Sequence, residues 1–463
     1  MTHRITRRTF LKSAAAAGAT LTILPSGLAA VYRANYKVNL GIIGVGGMGG
    51  GNRNHFKKIG EEPIGANNIV ALCDVDRDRL AQAAADHPGA KTYVDFRKML
   101  TEMHKAIDAV CVSTPDHTHF PASMLAMKLG MGVDTEKPLT HSLWEARQMG
   151  LAAAKYGVAT QLDNENHSNP GLRSLVEWVR AGVIGKVREV HIWSDRPIWP
   201  QGIKERPPTE PVPKNLEWDL WIGPAPYRDY HKHLHPFAWR GWWDFGTGAL
   251  GDMGCHFWDS AFWALTLGHP ATVEAVEEGN SEETGPNWSV VTHEFPARGE
   301  HLPPVTVKWW DGRKDVKTSD GKMQRVQNLP PRPAELEPER RMPSNGSMFI
   351  GEKGTILVHD AASARIIPEA KMKETKLPDP FIPRSPGHKK EWLEAVRGGK
   401  PAGSNFTDFG GPLTEVVLLG NLAIRAGKKL EWDGQNLKAK NCPEADRYIR
   451  REYRKGWDFS LDA

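Results

Sequence analysis

The sequence predicts an α/β protein with two domains: an N-terminal, doubly wound parallel sheet and a C-terminal α+β domain with an open, mostly antiparallel sheet. Three observations predict this. Short apolar runs alternate with longer periodic ones between residue 37 and about residue 163. A glycine-rich turn directly follows the first apolar run. After about residue 163 the pattern changes to half-buried alternating strands and isolated amphipathic helices.

The N-terminal half reads as a series of βαβ units. Apolar strands that alternate with helices are typical of a parallel sheet covered on both faces. We predict strands at residues 37–44, 67–74, 107–114, 131–136 and 158–163, and helices at 77–86, 120–129 and 143–155. A domain covering residues 37–162 follows from this pattern.

In the second half, residues 163–463, the regular alternation of strands and helices stops. An amphipathic helix is predicted at 170–185, and "LTEVVLLGNLAIRAG" predicts a late helix that ends at Gly427. Strands are predicted at 186–194, 271–278, 304–310 and 354–359. Residues 197–240 are rich in Pro, Trp and His, which suggests a long structured loop, and residues 318–345 suggest an exposed excursion.

The N-terminus carries an export signal. "TRRTFLK" at residues 6–12 precedes 20 uncharged residues, Ser13 to Tyr32, and this combination is typical of a twin-arginine signal. The run is weakly apolar, so a cleaved signal over residues 1–30 is favoured, with a retained anchor as the alternative. We therefore expect the protein to be periplasmic or otherwise exported, with the twin-arginine export machinery as a partner.

Charge and cysteine usage exclude several classes. Residues 1–30 contain four basic residues and no acid, and so account for four of the five net positive charges of the 463-residue chain. The remainder is near neutral, which gives no support for nucleic-acid binding. The four cysteines form no CxxC pair, and the "HKHLH" segment at 231–235 has no matching acidic or Cys set. Its alternation suits a strand face with a structural or substrate-lining role, so we predict no metal site.

The glycine-rich turn predicts a dinucleotide. "GIIGVGGMGG" supplies Gly44, Gly46 and Gly49 in the G-x-G-x-x-G spacing directly after a strand, which is the context of the Rossmann fingerprint. Backbone N–H groups at the following helix start would face a pyrophosphate. Asp74 ends the second strand and is the candidate for binding the ribose, which favours NAD. Arg77 lies close enough in sequence to leave NADP open.

Three further motifs resemble those of the glucose–fructose oxidoreductase, inositol dehydrogenase and rhizopine-catabolism family, abbreviated Gfo/Idh/MocA. They are "STPDHTH" at 113–119, "EKP" at 136–138 and "GDMGCHFWD" at 251–259. The resemblance implies that Lys137, Asp252 and His256 are catalytic. It also implies a loop over the nicotinamide that includes Asp116 and His117, and a set of cofactor contacts: Thr114, Pro115, His119, Glu136 and Lys137. His119 equally suits a helix-start histidine packed on the fold.

The residue types suit the oxidation of a secondary alcohol. That reaction needs a base for the O–H proton while a hydride leaves the carbon, and histidine has a pKa near working pH. A lysine ammonium stabilises developing negative charge on the oxygen. The resemblance assigns His256 as the base and Lys137 as its partner on that oxygen. Asp252 precedes His256 by four residues, so the two share one face if the segment is helical.

Aromatic composition predicts a sugar site in the second domain. Nine of the 17 tryptophans lie between Trp193 and Trp263. Aromatic faces stack on sugars while charged groups bind hydroxyls, although some of these tryptophans must be core. The predicted substrate contacts are Arg240, Trp242, Trp243 and Asp244, with His167 added from the family resemblance.

Export and a dinucleotide fold together suggest how the cofactor is used. A protein exported after folding can leave with NAD, or alternatively NADP, tightly bound, and must then recycle it in place. We therefore expect an oxidoreductase acting on CH–OH groups of a carbohydrate and returning the hydride to a second one. A redox-neutral glycosidase or lyase and a non-catalytic sugar-binding protein are the alternatives. The family resemblance also implies a homo-oligomer.

Overall fold

The computed structural model describes residues 36–62, 66–299 and 302–462. The predicted twin-arginine signal lies outside these residues, so it stays a prediction. Among the described residues, no helix combines the length and the apolar character needed to cross a membrane.

The N-terminal sheet has six parallel strands in the order β3-β2-β1-β4-β5-β6. Its strands are β1 (Val38–Ile43), β2 (Asn67–Cys73), β3 (Lys91–Tyr93), β4 (Ala109–Val112), β5 (Gly132–Glu136) and β6 (Thr160–Asp163). The strand order reverses between β1 and β4, and ligands bind beside such a switch point in open α/β sheets. The predicted doubly wound sheet is thus confirmed.

Helices lie between these strands. They are α1 (Met48–Gly60), α2 (Arg77–Asp86), α3 (Phe96–Met103), α4 (Asp116–Lys128) and α5 (Leu143–Tyr156). Side-chain caps fix where several of them begin. The Asp76 carboxylate accepts from two backbone N–H groups at the start of α2. Ser142 and Glu145 form a reciprocal capping box at the start of α5, which aligns that helix just after the "EKP" motif.

The second sheet has ten strands, in the order β14-β13-β12-β7-β10-β9-β8-β15-β16 with β11 paired to β10. Only β7 and β10 are parallel, so the predicted mostly antiparallel sheet is confirmed. The strands are β7 (Val187–Trp193), β8 (Thr272–Glu278), β9 (Trp288–Phe295), β10 (Val305–Lys317), β11 (Met323–Gln327), β12 (Gly346–Gly351), β13 (Gly354–His359), β14 (Ser363–Ile367), β15 (Leu430–Asp433) and β16 (Lys438–Ala439).

Two long helices of the second half bring the two sheets together. The helices there are α6 (Pro170–Arg180), α7 (Trp218–Ile222), α8 (Gly248–Leu265), α9 (Glu369–Glu374), α10 (His388–Val396), α11 (Gly411–Ala426) and α12 (Asp446–Ile449). Helix α11 packs against both α8 and α5, and its buried side chains belong to one core shared by both halves. This packing holds α8, with its Asp252 and His256, over the first sheet.

One local expectation is wrong. The alternation of histidines at 231–235 suggested a strand face, but this segment forms consecutive turns. The His231 and His233 rings lie 4.7 Å apart in an edge contact, and the His233 backbone N–H donates to His231 Nδ1 at 3.1 Å. Such an i to i+2 side-chain bond stabilises a turn rather than an extended strand.

Candidate functional site

A cavity of about 530 Å³ lies at the carboxyl ends of the parallel strands. Its walls come from the glycine turn, from the loops after β2, β4 and β5, and from residues of the second half. Nine of the predicted site residues line it: Gly44, Gly46, Asp74, Thr114, Pro115, Glu136, Lys137, Arg240 and Asp252. We call this space the main cavity.

The glycine turn is shaped by close backbone contacts. Gly44 has φ +83°, and a Cβ there would lie 2.6 Å from the Ser113 carbonyl oxygen. A Cβ on Gly49 would lie 1.9 Å from the Gly44 carbonyl oxygen, so helix α1 approaches β1 at a distance that excludes any side chain. A Cβ on Gly46 would meet Arg79 Cδ at 2.6 Å. Only glycine fits at positions 44 and 49, where the contacts are with backbone atoms, whereas at Gly46 the flexible Arg79 side chain would have to move. This close-packed turn is the cradle that a pyrophosphate needs.

Asp74 holds the turn from the neighbouring strand. Its carboxylate accepts from the backbone N–H groups of Val45 and Asp76, both at 2.9 Å. Burial raises the pKa of Asp74, and these two hydrogen bonds and Arg79 act in the opposite direction. Asp74 lines the main cavity next to Arg79. An acid and an arginine at the same edge leave the choice between NAD and NADP open.

Lys137, Asp252 and Arg240 form a charged cluster at the other end of the main cavity. Lys137 Nζ donates to Asp252 Oδ1 at 3.0 Å and to the Asp252 carbonyl oxygen at 2.8 Å. Arg240 Nε donates to the same Oδ1 at 3.3 Å. Burial disfavours the charged form of Lys137, but the attraction of the Asp252 carboxylate is stronger and raises the pKa of Lys137. The two cations in turn lower the pKa of Asp252.

His256 lies one helical turn beyond Asp252 on α8, as the i, i+4 spacing requires. It does not line the main cavity. Its Nδ1 is buried and has no hydrogen-bond partner among the described residues. Burial, and then the positive charge of Lys137, lower the pKa of His256 to about 4. The imidazole is therefore neutral at neutral pH and has an acceptor capacity that the protein leaves unused.

Asp116 is a further acid in the wall of the main cavity. It begins α4, is buried, and its Oδ2 accepts from Thr247 Oγ1 at 2.7 Å. Burial raises the pKa of Asp116 to about 7, and the Asp252 charge contributes in the same direction. The sequence placed Asp116 in the nicotinamide loop without giving it a protonation role.

Behind the cluster, Glu136 belongs to a buried network of acids around one lysine. Asn52 Nδ2 donates to Glu136 Oε1 at 2.9 Å. Burial and the nearby charge of Asp163 raise the pKa of Glu136 to about 8. Lys389 Nζ is fully buried and pairs with Asp134 Oδ2 at 2.7 Å and with Asp163 Oδ2. This network fixes the ends of β5 and β6, and thereby the position of Lys137.

Two predicted histidines lie outside the main cavity. The two ring nitrogens of His119 lie 2.8 and 2.7 Å from the Pro138 and Thr114 carbonyl oxygens, and the ring, which is neutral because burial lowers its pKa to about 4, donates to one of them. It therefore joins the two loops that line the cavity without facing it. His167 Nδ1 bonds to Asp259 Oδ1 at 3.0 Å, and its ring packs between Trp263 and Phe409, each 4.3 Å away between centroids. Its role as a substrate contact stays a prediction that this packing does not favour.

Three of the predicted sugar contacts also lie elsewhere. Trp242 is buried, with the Arg228 guanidinium 4.9 Å from its ring centroid. Asp244 accepts from Arg228 Nη1 at 3.1 Å. Trp243 Nε1 donates to Asn280 Oδ1 at 3.2 Å and to the Ser281 carbonyl oxygen at 3.1 Å. Aromatic groups do reach the cavity, but from neighbouring positions.

Several lining residues were not predicted. Phe237 and Trp239 face the cavity and pack on the Arg240 guanidinium, at 4.8 and 4.3 Å from their centroids. Trp457 lines it as well, and so does His235, which belongs to the 231–235 segment predicted to have a structural or substrate-lining role. The Trp-rich composition of 197–243 was a signal for the first two. No motif near Trp457 in the sequence predicts that this residue, which lies in the C-terminal segment, lines the main cavity.

The donor set fits a dinucleotide. The glycine cradle, the adjacent acid and the length of one continuous cavity match its phosphates, ribose and nicotinamide ends. Thr114 Oγ1, in the cavity wall, is buried and unpartnered among the described residues, so it is free to bond such a ligand. Within the described part of the chain, no cluster of three or more His, Cys, Asp or Glu has the arrangement of a metal site.

Comparison with known proteins gives matches along most of the described chain. The model described as "Oxidoreductase family, NAD-binding Rossmann fold" of Gfo/Idh/MocA matches residues 38–163, and that described as "Oxidoreductase family, C-terminal alpha/beta domain" matches residues 177–297. Inositol 2-dehydrogenase of Corynebacterium glutamicum is 29% identical over 161 residues, which is 33% of this chain and 45% of that protein.

D-glucoside 3-dehydrogenase of Escherichia coli is 27% identical over 218 residues, 47% of this chain and 51% of that protein. The chain thus matches only about half the length of these curated relatives. The WlbA dehydrogenase of Bordetella pertussis, solved with NADH and UDP-GlcNAcA, superposes with a TM-score of 0.57 at 18% identity, covering 86% of this chain and 99% of that one. At that identity the likeness shows the fold alone.

Proposed function

Because this chain belongs to the Gfo/Idh/MocA oxidoreductase family, we propose that it is an exported enzyme acting on a sugar or sugar derivative through a tightly bound NAD. NADP is the alternative cofactor. The named relatives that act on a polyol and on a glucoside support the substrate class. The cofactor is loaded before export and is recycled in place.

The main cavity is the observation that carries the proposal. It joins the glycine turn and Asp74 at one end to Lys137, Asp252 and Arg240 at the other. A dinucleotide bound on the turn would extend toward the charged cluster, where a substrate hydroxyl can meet two cations. The aromatic rings of Phe237 and Trp239 stand beside that cluster and suit the C–H face of a sugar.

Lys137 and His256 have different roles in the proposed proton transfer. Lys137 stays charged, because Asp252 raises its pKa, and so stabilises negative charge on the substrate oxygen. We assign the hydroxyl proton to His256, which is neutral because burial lowers its pKa, and which lies one helical turn beyond Asp252, behind the cavity wall rather than in it. The carbon loses a hydride, the oxygen loses a proton, and a carbonyl group forms. A bound nicotinamide supplies the hydride acceptor, and in its reduced form the donor for a second sugar.

Export is supported by the paired arginines at residues 6–12 and by the uncharged run from Ser13 to Tyr32 that follows them. We propose that the twin-arginine machinery is a partner and that the mature protein works outside the cytoplasmic membrane. Free NAD is scarce there, so one substrate must return the hydride that another has given up. The redox-neutral alternative differs only in that the same sugar takes the hydride back after losing its aglycone.

We further propose a homo-oligomer that uses the outer face of the ten-stranded sheet. Alternate residues of β9 are buried while the others are half-buried, and Val276 on β8 is 59% exposed. Sedimentation analysis of the purified protein tests this, and a monomer at all concentrations contradicts it.

The central experiment counts nucleotide in protein purified after export. The protein is denatured, and the released nucleotide is identified by chromatography and quantified per chain. We expect close to one NAD or NADP per chain. In the intact protein, one sugar alone should leave the bound nicotinamide reduced, and a second sugar or carbonyl acceptor should reoxidise it. Cleavage of a glycoside without net reduction would favour the redox-neutral alternative.

Variants separate catalysis from binding. His256→Ala should lose turnover by about 10²–10⁴-fold while sugar affinity stays close to that of the unmodified protein. Lys98→Met is a matched surface control, since its side chain is 66% exposed on α3, and should leave turnover unchanged. A protein that is empty and also fails to bind added nucleotide would overturn the proposal and favour the sugar-binding alternative.

A further inference from the structure

A second, smaller cavity of about 60 Å³ lies between the start of α5, helix α11 and the C-terminal segment. Three arginines contribute to its lining: Arg425, Arg447 and Arg451. No Asp or Glu of the described residues lines it. A small space lined by three arginines and, within the described chain, no acid needs a physical explanation, because like charges brought together repel.

Arg451 provides the strongest evidence. Its Nη1 and Nη2 are both buried, and neither has a hydrogen-bond partner among the described residues. No carboxylate oxygen of those residues lies within ion-pair distance of it, and its guanidinium carbon lies 5.7 Å from the Tyr453 ring centroid. A buried, unpaired guanidinium costs several kcal/mol, so native structures supply a partner of some kind.

The neighbouring carboxylate of Glu145 does not fill this role. Its Oε1 accepts from Tyr453 Oη at 2.8 Å. Its Oε2 accepts from the backbone N–H groups of Ser142 and His141, at 3.0 and 3.1 Å. Glu145 therefore caps α5 and accepts no hydrogen bond from Arg451; burial raises the pKa of its carboxyl group, and the positive charge of Arg451 opposes that rise.

Arg425 approaches the same space without an acidic partner. Its guanidinium carbon lies 3.8 Å from the Tyr448 ring centroid and 5.3 Å from that of Trp243, and it forms no ion pair or hydrogen bond within the described part of the chain. Stacking orients the guanidinium and leaves its in-plane N–H donors free. Arg447, by contrast, reaches Glu282 Oε1 at 3.4 Å and the Tyr448 hydroxyl.

We propose that this second cavity binds one small tetrahedral oxyanion, phosphate or sulfate, between Arg451 and Arg425. A cavity needs about 10–15 Å³ to hold a single water, so one of about 60 Å³ exceeds that minimum several-fold and has room for one small ion. Planar guanidinium groups bind oxyanions with paired, charge-assisted hydrogen bonds. The anion neutralises the cluster and ties the C-terminal segment to helix α11.

The second cavity and the main cavity are separated by shared residues, so an anion in the second cavity can affect the main cavity. Thr247 lines the second cavity, and its Oγ1 donates to Asp116, which lines the main cavity. The C-terminal segment that carries Arg451 continues to Trp457, which also lines the main cavity. Anion binding therefore orders two parts of the dinucleotide pocket from behind, without touching the dinucleotide.

The test titrates phosphate and sulfate into the full chain, with NAD⁺ in excess so that the glycine turn is already occupied. Isothermal calorimetry measures binding, and the thermal midpoint is followed in parallel against NaCl of equal ionic strength. We expect saturable binding of one anion per chain and a rise in Tm that NaCl does not reproduce. Arg451→Gln and Arg425→Gln should each weaken phosphate binding at least tenfold.

Arg450→Gln is the matched control. Arg450 precedes Arg451 but is exposed and stacks on Trp144 at 3.9 Å, outside the second cavity, so this variant should bind phosphate normally. Equal effects of phosphate and NaCl, no binding heat, or unchanged binding in both glutamine variants would each overturn the proposal. If one variant fails to fold, the other still decides the outcome. Nucleotide content and sugar turnover are measured separately, so a failed anion site leaves the proposed function standing.

Discussion

Replacing Gly49 by alanine tests whether the close approach of α1 to β1 builds the dinucleotide site. The new Cβ would lie 1.9 Å from the Gly44 carbonyl oxygen and 2.8 Å from its carbon. Carbon and oxygen need about 3 Å or more, so helix and turn must separate by roughly 1 Å. That shift moves the backbone N–H donors away from the pyrophosphate.

The magnitude follows from the bonds that are lost. A hydrogen bond to a charged group contributes about 1.5–3 kcal/mol, so losing two weakens NAD binding by about 3–6 kcal/mol, or 10²–10⁴-fold. Gly51→Ala is the control on the same helix, where a Cβ meets nothing within 4 Å. It should bind NAD normally and gain up to about 1 kcal/mol of stability from helix propensity.

The assay is NADH fluorescence titration of refolded, nucleotide-free protein, with circular dichroism to establish that each variant is folded. If folded Gly49→Ala binds NADH as tightly as Gly51→Ala, then the close approach does not shape the site. The assignment of the glycine turn as the phosphate cradle would then be wrong.

Three further outcomes are expected. Burial raises the pKa of Asp116 to about 7, so the protonated side chain contributes stability fully below about pH 4, and this contribution is lost as the pH rises toward 7. The free energy of unfolding of the protein relative to that of Asp116→Asn should therefore fall by up to about 4 kcal/mol over this range. Urea unfolding at several pH values measures it. Lys389→Met leaves two buried carboxylates unpaired and should cost about 3–5 kcal/mol, whereas Lys390→Met, at a side chain 39% exposed, should cost less than about 1 kcal/mol; equal losses would contradict the importance of burial. Asp259→Ala removes the acceptor of two buried donors and should cost about 2–6 kcal/mol in the same assay, and a neutral effect would show that water replaces the carboxylate.

The fold was largely predictable because its strongest signals are local. Five of the six parallel strands follow from apolar runs, and the late helix ends at Gly427, which has φ +64°. Strand β3 was missed because Lys91, Thr92 and Tyr93 have no apolar run and are only partly buried. Strands such as β12 and β14 are short and are defined by their pairing partners more than by their own composition.

The candidate site was predictable only where function constrains neighbouring residues. The glycine spacing, "EKP" and the Asp252–His256 pair each lie within one short segment. Contacts assembled from distant segments gave no local signal, as with Arg79 over the glycine turn. Tryptophan composition located the aromatic region but could not separate Trp239, which faces the cavity, from Trp242, which is core.

The position of Trp457 has a consequence for the order of events during synthesis. The ribosome synthesises the glycine turn long before residue 457. The Trp457 ring packs edge-on against Phe96, 5.9 Å between centroids, and under the Arg97 guanidinium at 4.1 Å. The first sheet can therefore form while this part of the cavity wall is still missing. Retention of a dinucleotide then depends on the synthesis and docking of a segment far from the glycine turn in the sequence.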